Sequence, residues 1–264
     1  MRRPWAVLAR QYAALLRMKY GEMLAYRPAT FVWMTGAMVQ PIITMFVWMN
    51  IEPERSDAFL FYFLAVVFVE RMTVAWDVWE LDREIREGTF AYRILQPVHP
   101  IHWAIAENIV YKGLFLVLLA PVWAVAAVFV PALRPTMDAA QTALFLCAVV
   151  VGAAVRFLLG YTFGLLAFRW TKVTGAYVAV EAVGLFLSGR IAPMELLPPW
   201  LQTIAFWSPF RYMIGFPIEI ATGAVVGPAI GAGFAVALAW AALFALALRA
   251  AWRSGLRRNQ AVGG

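Results

Sequence analysis

Long apolar runs separated by short polar gaps constrain this chain more than any other feature. From Ala139 to Phe168 a single charge, Arg156, interrupts the run, and further apolar runs cover about residues 28–50, 58–79, 103–130, 174–187 and 225–248. An α-helix needs ~20 predominantly apolar residues to cross the ~30 Å hydrocarbon core of a bilayer. Helices and closed barrels are the structures that satisfy their own backbone polar groups in lipid. The pattern therefore predicts an all-α integral membrane protein with six transmembrane helices. The bulk numbers agree, with 63% hydrophobic and 14% charged residues where soluble domains have ~45–50% and ~25%. A length of 264 residues leaves no room beside six spans for a separate soluble domain of ordinary size.

Charge placement orients the spans. The net charge of +7 comes from basic residues that flank the apolar runs, which points to lipid headgroups and not to nucleic acid. With the N-terminus in the cytoplasm, the inside holds Arg2, Arg3, Arg10, Arg17, Lys19, Arg27, Arg83, Arg86, Arg93, Arg169, Lys172, Arg249, Arg253, Arg257 and Arg258, with Lys112 nearby. The outside holds Arg55, Arg134, Arg190 and Arg211. That asymmetry predicts both termini on the cytoplasmic side of a bacterial-type plasma membrane. Arg10, Arg17 and Lys19 interrupt the first residues where a cleavable signal would be apolar. Instead, Trp5, Leu8, Tyr12, Leu15 and Leu16 recur at helical spacing between Trp5 and Leu24, with those basic residues off the stripe. This reads as an amphipathic helix lying in the interface.

The chain then divides into the interfacial helix (1–27), spans one to five (28–187) with a polar loop at 80–100, a proline-broken segment (188–223), span six (224–250) and a tail (251–264). Pro41 falls inside the first span and predicts a kink there. Nothing in the chain carries a phosphate loop of the G-x-x-x-x-G-K-[ST] type or an H-E-x-x-H helix, so no nucleotide, cofactor or metal site is expected within it. Cys147 stands alone in an apolar run, which excludes an internal disulfide. His99 and His102 sit beside Pro97 and Pro100 and read as interfacial polar residues before metal ligands.

Three features remain as candidates for function. The loop after the second span runs through Arg83, Glu84, Arg86, Glu87, Gly88, Thr89, Tyr92 and Leu95 to Pro97. A charged helical turn, a glycine and a short amphipathic stretch suit docking in another protein's groove; the plainer reading is a solvated connector. Four charges, Glu70, Arg71, Arg156 and Glu181, lie within spans. Intramembrane charges are costly and face a partner or a wet cavity, so a paired network is expected, with Arg156 contacting Glu181 or Glu70. It would serve either as a clamp between helices or as part of a substrate path. Gly152, Arg156, Gly160 and Gly164 share one helix face, and Gly184 with Ser188 repeats the idea on the fifth span; small faces admit close helix contact.

Glu87-Gly88-Thr89 followed by Leu95-Gln96-Pro97 resembles the coupling segment of permeases in the type-2 ABC transporter family. The stretch from Ser188-Gly189-Arg190-Ile191-Ala192-Pro193 through Leu197-Pro198-Pro199-Trp200 to Ile204-Ala205, continued by Ser208-Pro209-Phe210-Arg211-Tyr212, is similar to the family's segment before the last span. Many members have Asn-Pro-Leu-Thr-Tyr at that second place. The run from Pro209 to Phe216-Pro217, Glu219 and Gly223 looks like a branch whose members often occur with a second, related permease. The resemblance implies a non-catalytic permease subunit of an ATP-driven exporter, paired as homodimer or heterodimer. Two cytoplasmic ATPase subunits, carrying ATP and magnesium, would dock on the 80–100 loop. Two half-helices, Leu196 to Phe206 and Arg211 to Thr222, would dip in from outside and return. Pro193, Leu197, Pro198, Trp200, Phe206, Trp207, Pro209, Phe210 and Tyr212 would form an outer lid, or else an interfacial aromatic belt. The apolar walls suit a lipophilic or amphipathic cargo: a drug-like compound, a lipid or a lipid-linked glycan. A membrane-embedded lipid-modifying enzyme using His99, His102 and Glu107, or a purely structural subunit, are the rival classes.

Overall fold

A computed structural model describes residues 4–36 and 38–257, and within them the chain is helical with no strand. Arg2, Arg3 and Arg258 lie outside the described residues, as do the side chains of Trp5, Leu8 and Arg27. Helix α1 (Pro4–Ala25) is followed by α2 (Arg27–Gly36), α3 (Val39–Ile51), α4 (Ser56–Thr73), α5 (Asp77–Arg86) and the short α6 (Phe90–Ile94). The long α7 (Ile101–Phe129) and α8 (Ala139–Leu165) come next, then α9 (Val173–Leu187). Three short helices, α10 (Pro199–Trp207), α11 (Phe210–Met213) and α12 (Gly215–Thr222), precede α13 (Pro228–Leu256).

Among the described residues four helical stretches are long and apolar enough to cross a bilayer: Pro53–Arg86, Ile101–Phe129, Ala139–Phe168 and Pro228–Leu256. The first and fifth expected spans are shorter. α3 has 13 residues and α9 has 15, ~20 Å and ~22 Å of helix. In the first span the chain breaks before Pro41 rather than at it. α2 ends at Gly36 and α3 starts at Val39, so Pro41 occupies the first turn of a new helix, where its missing N–H removes no hydrogen bond.

The second expected span is also divided. α4 ends at Thr73, Val74 is extended (φ −53°, ψ 142°), and α5 starts at Asp77. Asp77 and Glu80 occupy the first turn of α5, and Arg83 and Arg86 the last. That order complements the helix dipole at both ends. The half-helix expected from Arg211 to Thr222 is two pieces, α11 and α12, parted at Ile214 (φ −137°, ψ −60°).

Helix α8 is the hub, packed against α4, α5, α9, α11, α12 and α13. It starts on Asp138, whose carboxylate accepts the Gln141 N–H at 2.7 Å. The largest core cluster joins Phe59, Tyr62, Phe63, Val66 and Val69 of α4 to Val155 and Leu159 of α8, Tyr177 of α9, and Met213, Ile214 and Ile218. Glycines let the backbones meet. A Cβ at Gly152 would sit 2.5 Å from the Tyr212 carbonyl oxygen, and one at Gly164 would sit 2.7 Å from Leu81. Gly160 faces only the Tyr177 hydroxyl, at 3.5 Å. The segment from Tyr212 to Ala221 is buried throughout, held on α8 by Gln141, whose amide donates to the Ile220 carbonyl at 2.6 Å.

Candidate functional site

At one end of the bundle α5, Gly88 and α6 form a projecting elbow. Gly88 takes φ +75°, a left-handed conformation that disfavours side chains. Phe90 anchors the elbow, fully buried with Leu81, Ala104, Tyr161 and Leu165. Arg93 clamps it, reaching Glu80 at 2.8 Å and Glu84 at 2.5 Å. Burial lowers the Arg93 pKa, but Glu80 and Glu84 outweigh it and the net shift is upward, so the clamp stays charged. Arg86 folds back onto Asp82 at 2.8 Å. Arg83, Arg86, Glu87 and Thr89 are exposed. Tyr92 and Leu95 are 72% and 83% exposed, an apolar tip on a rigid, charged base.

Beside the elbow a polar cluster fills the break between α4 and α5. Lys112 of α7 donates to the freed Val74 carbonyl at 3.0 Å and to Asn108 Oδ1 at 2.7 Å. Asn108 donates in turn to both Asp77 oxygens, at 3.3 and 3.2 Å. Glu107 accepts the Trp76 indole N–H at 3.1 Å and pairs with Lys19 at 2.8 Å. Lys19 is thus buried under α7, not on the outer face of α1 where its position off the apolar stripe placed it. Its pKa is lowered by burial but raised further by Glu107, for a net upward shift. His102 hydrogen-bonds Tyr12, and His99 packs against Trp252 with the rings tilted by 43° and their centroids 4.3 Å apart. Burial, then the neighbouring His102, lowers the His99 pKa.

Deeper in the bundle the four span charges sit in two pairs. Arg156 contacts Glu181 at 2.8 Å, and Tyr177 donates to the other Glu181 oxygen at 3.0 Å. Glu70 contacts the adjacent Arg71 at 3.4 Å and Arg190 at 2.7 Å. Arg190 also reaches Gln40 at 3.4 Å, and Arg71 donates to the Tyr111 hydroxyl at 3.3 Å. Charge counting puts the Arg190 backbone outside; its side chain reaches Glu70, fifteen residues into α4.

The turn after α9 explains this reach. Gly189 adopts φ +85°, and a Cβ there would lie 2.7 Å from the Tyr62 hydroxyl. Tyr62 donates to the Gly189 carbonyl at 2.9 Å, and the Trp48 indole to the Ile191 carbonyl at 2.7 Å. Pro193 is buried beyond it, and Leu197 and Pro198 lead into α10. Trp200 and Trp207 are each 64% exposed. Phe206 and Phe210 are half-buried, Pro209 and Tyr212 buried, and the Tyr212 hydroxyl donates to the Phe206 carbonyl at 2.6 Å. Between this segment and α4 lies a cavity of about 440 Å³ lined by Phe59, Tyr62, Met194, Glu195, Arg211 and Glu219 among others. Arg211 grips Glu219 through two nitrogens, the shorter contact being 2.6 Å, and Arg55 pairs with Glu195.

A family model described as ABC-2 family transporter protein matches residues 55–263. The chain belongs to the ABC-2 transporter family. No curated protein and no solved structure matches it. Membership makes this permease the membrane component of a transporter, generally non-catalytic and of a class that associates with an ABC ATPase.

In this ABC-2 permease the charge pairs and the 188–223 segment meet through the contact of Arg190 with Glu70. The polar cluster at the helix break, with Asp77, Asn108, Lys112, Glu107 and Lys19, escapes a reading by apolar runs. Two signals mark it in the sequence: the i, i+4 spacing of Asn108 and Lys112 within an otherwise apolar run, and Asp77 preceding a charged, amphipathic turn. His99, His102 and Glu107 each have their own protein contacts there: Trp252, Tyr12, and Lys19 with Trp76.

Proposed function

We propose that this permease exports a lipophilic or amphipathic cargo, driven by two cytoplasmic ATPase subunits that dock on the α5–Gly88–α6 elbow. The carrying observation is the elbow tip. Tyr92 and Leu95 project from a base fixed by Phe90 and the Arg93 clamp, and an exposed apolar pair on a rigid charged mount is the anatomy of a docking knob. ATP and magnesium belong on the partner. The elbow then lies in the cytoplasm, in keeping with the basic residues of that end, and both termini lie on the same side. α2–α3 and α9 complete six spans. The 188–223 segment forms an outer lid whose helices α11 and α12 sit on α8, with Trp200 and Trp207 at the membrane interface. A second permease, identical or related, completes the path.

The test is whether the full chain co-purifies with an ABC ATPase when expressed in its native cells. Tyr92→Asp with Leu95→Asp should lose the ATPase while the permease keeps its monodispersity and thermal stability. An ATPase that stays bound to this variant, or cargo efflux that needs no ATPase, refutes the proposal.

A further inference from the structure

The cavity of about 440 Å³ between α4 and the 188–223 segment is large enough for a small organic molecule. Phe59, Tyr62 and Met194 line it from the buried side. Ala58, Glu195, Thr222 and Gly223 line it and are exposed, so the space opens to the surface. Two arginine–glutamate pairs face the cavity, and they are unequal. Arg211 is locked onto Glu219 through two nitrogens, with side chains 13% and 5% exposed. Arg55 is held loosely. It pairs with Glu195 and reaches Glu52 at 3.4 Å, and the Arg55 and Glu195 side chains are 40% and 53% exposed. Ion pairs this open to solvent hold weakly.

The surroundings of Arg55 are those of a cation site. Its guanidinium lies over the Phe59 ring, 5.3 Å from the centroid, with the Glu195 and Glu52 carboxylates on its nitrogens. An aromatic face attracts ligand cations as well as side-chain ones. The local charge leans the same way. Residues 52–57 hold three acids, Glu52, Glu54 and Asp57, against the single base Arg55, and Glu54 and Asp57 are exposed. An anion approaching this opening meets an excess of acid. A neutral molecule offers Glu195 nothing in exchange for Arg55.

We propose that this cavity binds an amphipathic organic cation, a guanidinium or ammonium on an apolar body, which displaces Arg55 from Glu195 and from the Phe59 ring. Arg55 is the chain's own stand-in for the ligand and swings into solvent when the cation enters. The apolar body rests against Tyr62 and Met194, while the Arg211–Glu219 pair stays closed and keeps the wall in place. On the export reading, which this step assumes, the cation is cargo at its outer exit.

The full-length chain is placed in phosphatidylcholine nanodiscs without ATPase and titrated calorimetrically with phenethylguanidinium and with phenethylurea, an uncharged counterpart of nearly the same shape. Phenethylguanidinium should bind saturably, and phenethylurea at least roughly tenfold more weakly. Glu195→Gln should weaken the cation roughly tenfold. Arg55→Gln removes the competing cation and should tighten the same probe several-fold, which the loss of a purely structural ion pair would not do. Both side chains reach solvent, so these variants should melt with the parent chain; if either unfolds, the comparison of the two probes on the parent chain carries the test. Absence of saturable binding, equal binding of the two probes, or equal or weaker binding of the cation by folded Arg55→Gln overturns the proposal. Because no ATPase is present, this result can fail while ATPase docking at the elbow stands, and the reverse.

Discussion

Replacing single glycines of α8 by alanine separates three positions that share one face in the sequence but not one environment in the fold. A methyl at Gly152 would lie 2.5 Å from the Tyr212 carbonyl oxygen and 3.2 Å from Met213 Cα. The first distance is roughly 1 Å inside ordinary van der Waals contact, and the clashing atom is backbone within a fully buried stretch, so no rotamer change relieves it. Overpacking of this kind costs about 1–3 kcal/mol, with the upper end expected where backbone must move. Alanine returns about 1 kcal/mol of helix propensity over glycine. Gly152→Ala should therefore lose about 1–2 kcal/mol and shift the 212–221 segment off α8. At Gly160 the nearest atom is the Tyr177 hydroxyl at 3.5 Å, so the propensity gain stands alone and Gly160→Ala should be neutral or stabilising by up to about 1 kcal/mol. Gly164→Ala should resemble Gly152→Ala, because Leu81 Cδ1 and Cβ lie 2.7 and 2.8 Å from its added methyl and the Val78 backbone 3.2 Å away. Thermal unfolding of the three variants in one detergent, followed by tryptophan fluorescence and by size-exclusion recovery after heating, gives the order. If Gly160→Ala is the least stable, or Gly152→Ala melts with the parent chain, the close approach of α8 to the 212–221 segment is wrong.

Three other outcomes follow from the contacts. Arg211→Met leaves the nearly buried Glu219 without its bidentate partner and should cost about 3–5 kcal/mol; the double Arg211→Met, Glu219→Met chain should recover most of it in the same melting assay. Lys112→Met frees the Val74 carbonyl and one side of Asn108 and should cost about 1–3 kcal/mol, with faster amide exchange expected at residues 74–77 by hydrogen-exchange mass spectrometry. Tyr62→Phe removes the hydroxyl that holds the Gly189 carbonyl; it should lower the melting temperature by less than Lys112→Met does, and an effect as large would argue against a pre-fixed turn.

The membrane class and the family were legible because they rest on properties every window of the sequence carries: apolar length, flanking basic residues and the ordered pair of motifs around Gly88 and Pro198. Element boundaries were less legible where a long-range partner sets them. Pro41 is a local signal, and it marked the right neighbourhood because proline constrains only itself and its neighbours. Val74-Ala75-Trp76 gives no such signal, being apolar and free of glycine and proline. A helix can end there because Lys112, on another helix, takes the carbonyl that the break exposes, and Glu107 takes the Trp76 indole.

Arg190 shows the same physics with the opposite sign. Counting charges by loop assigns a basic residue to the side its loop lies on, which assumes that the side chain follows its backbone into water. Gly189 turns the chain inward, Tyr62 and Trp48 pin the turn, and Glu70 offers a buried carboxylate within the reach of one guanidinium. Burying Glu70 alone would be prohibitive in a bilayer, so the acid on α4 requires a cation from some other element. Arg71 is adjacent but at 3.4 Å makes the longer contact and gives its Nη1 to Tyr111. The closer partner is therefore the residue whose turn had to be built for the purpose. A glycine flanked by a serine and an arginine, placed after an apolar helix of 15 residues, is the local trace such a turn leaves in a sequence.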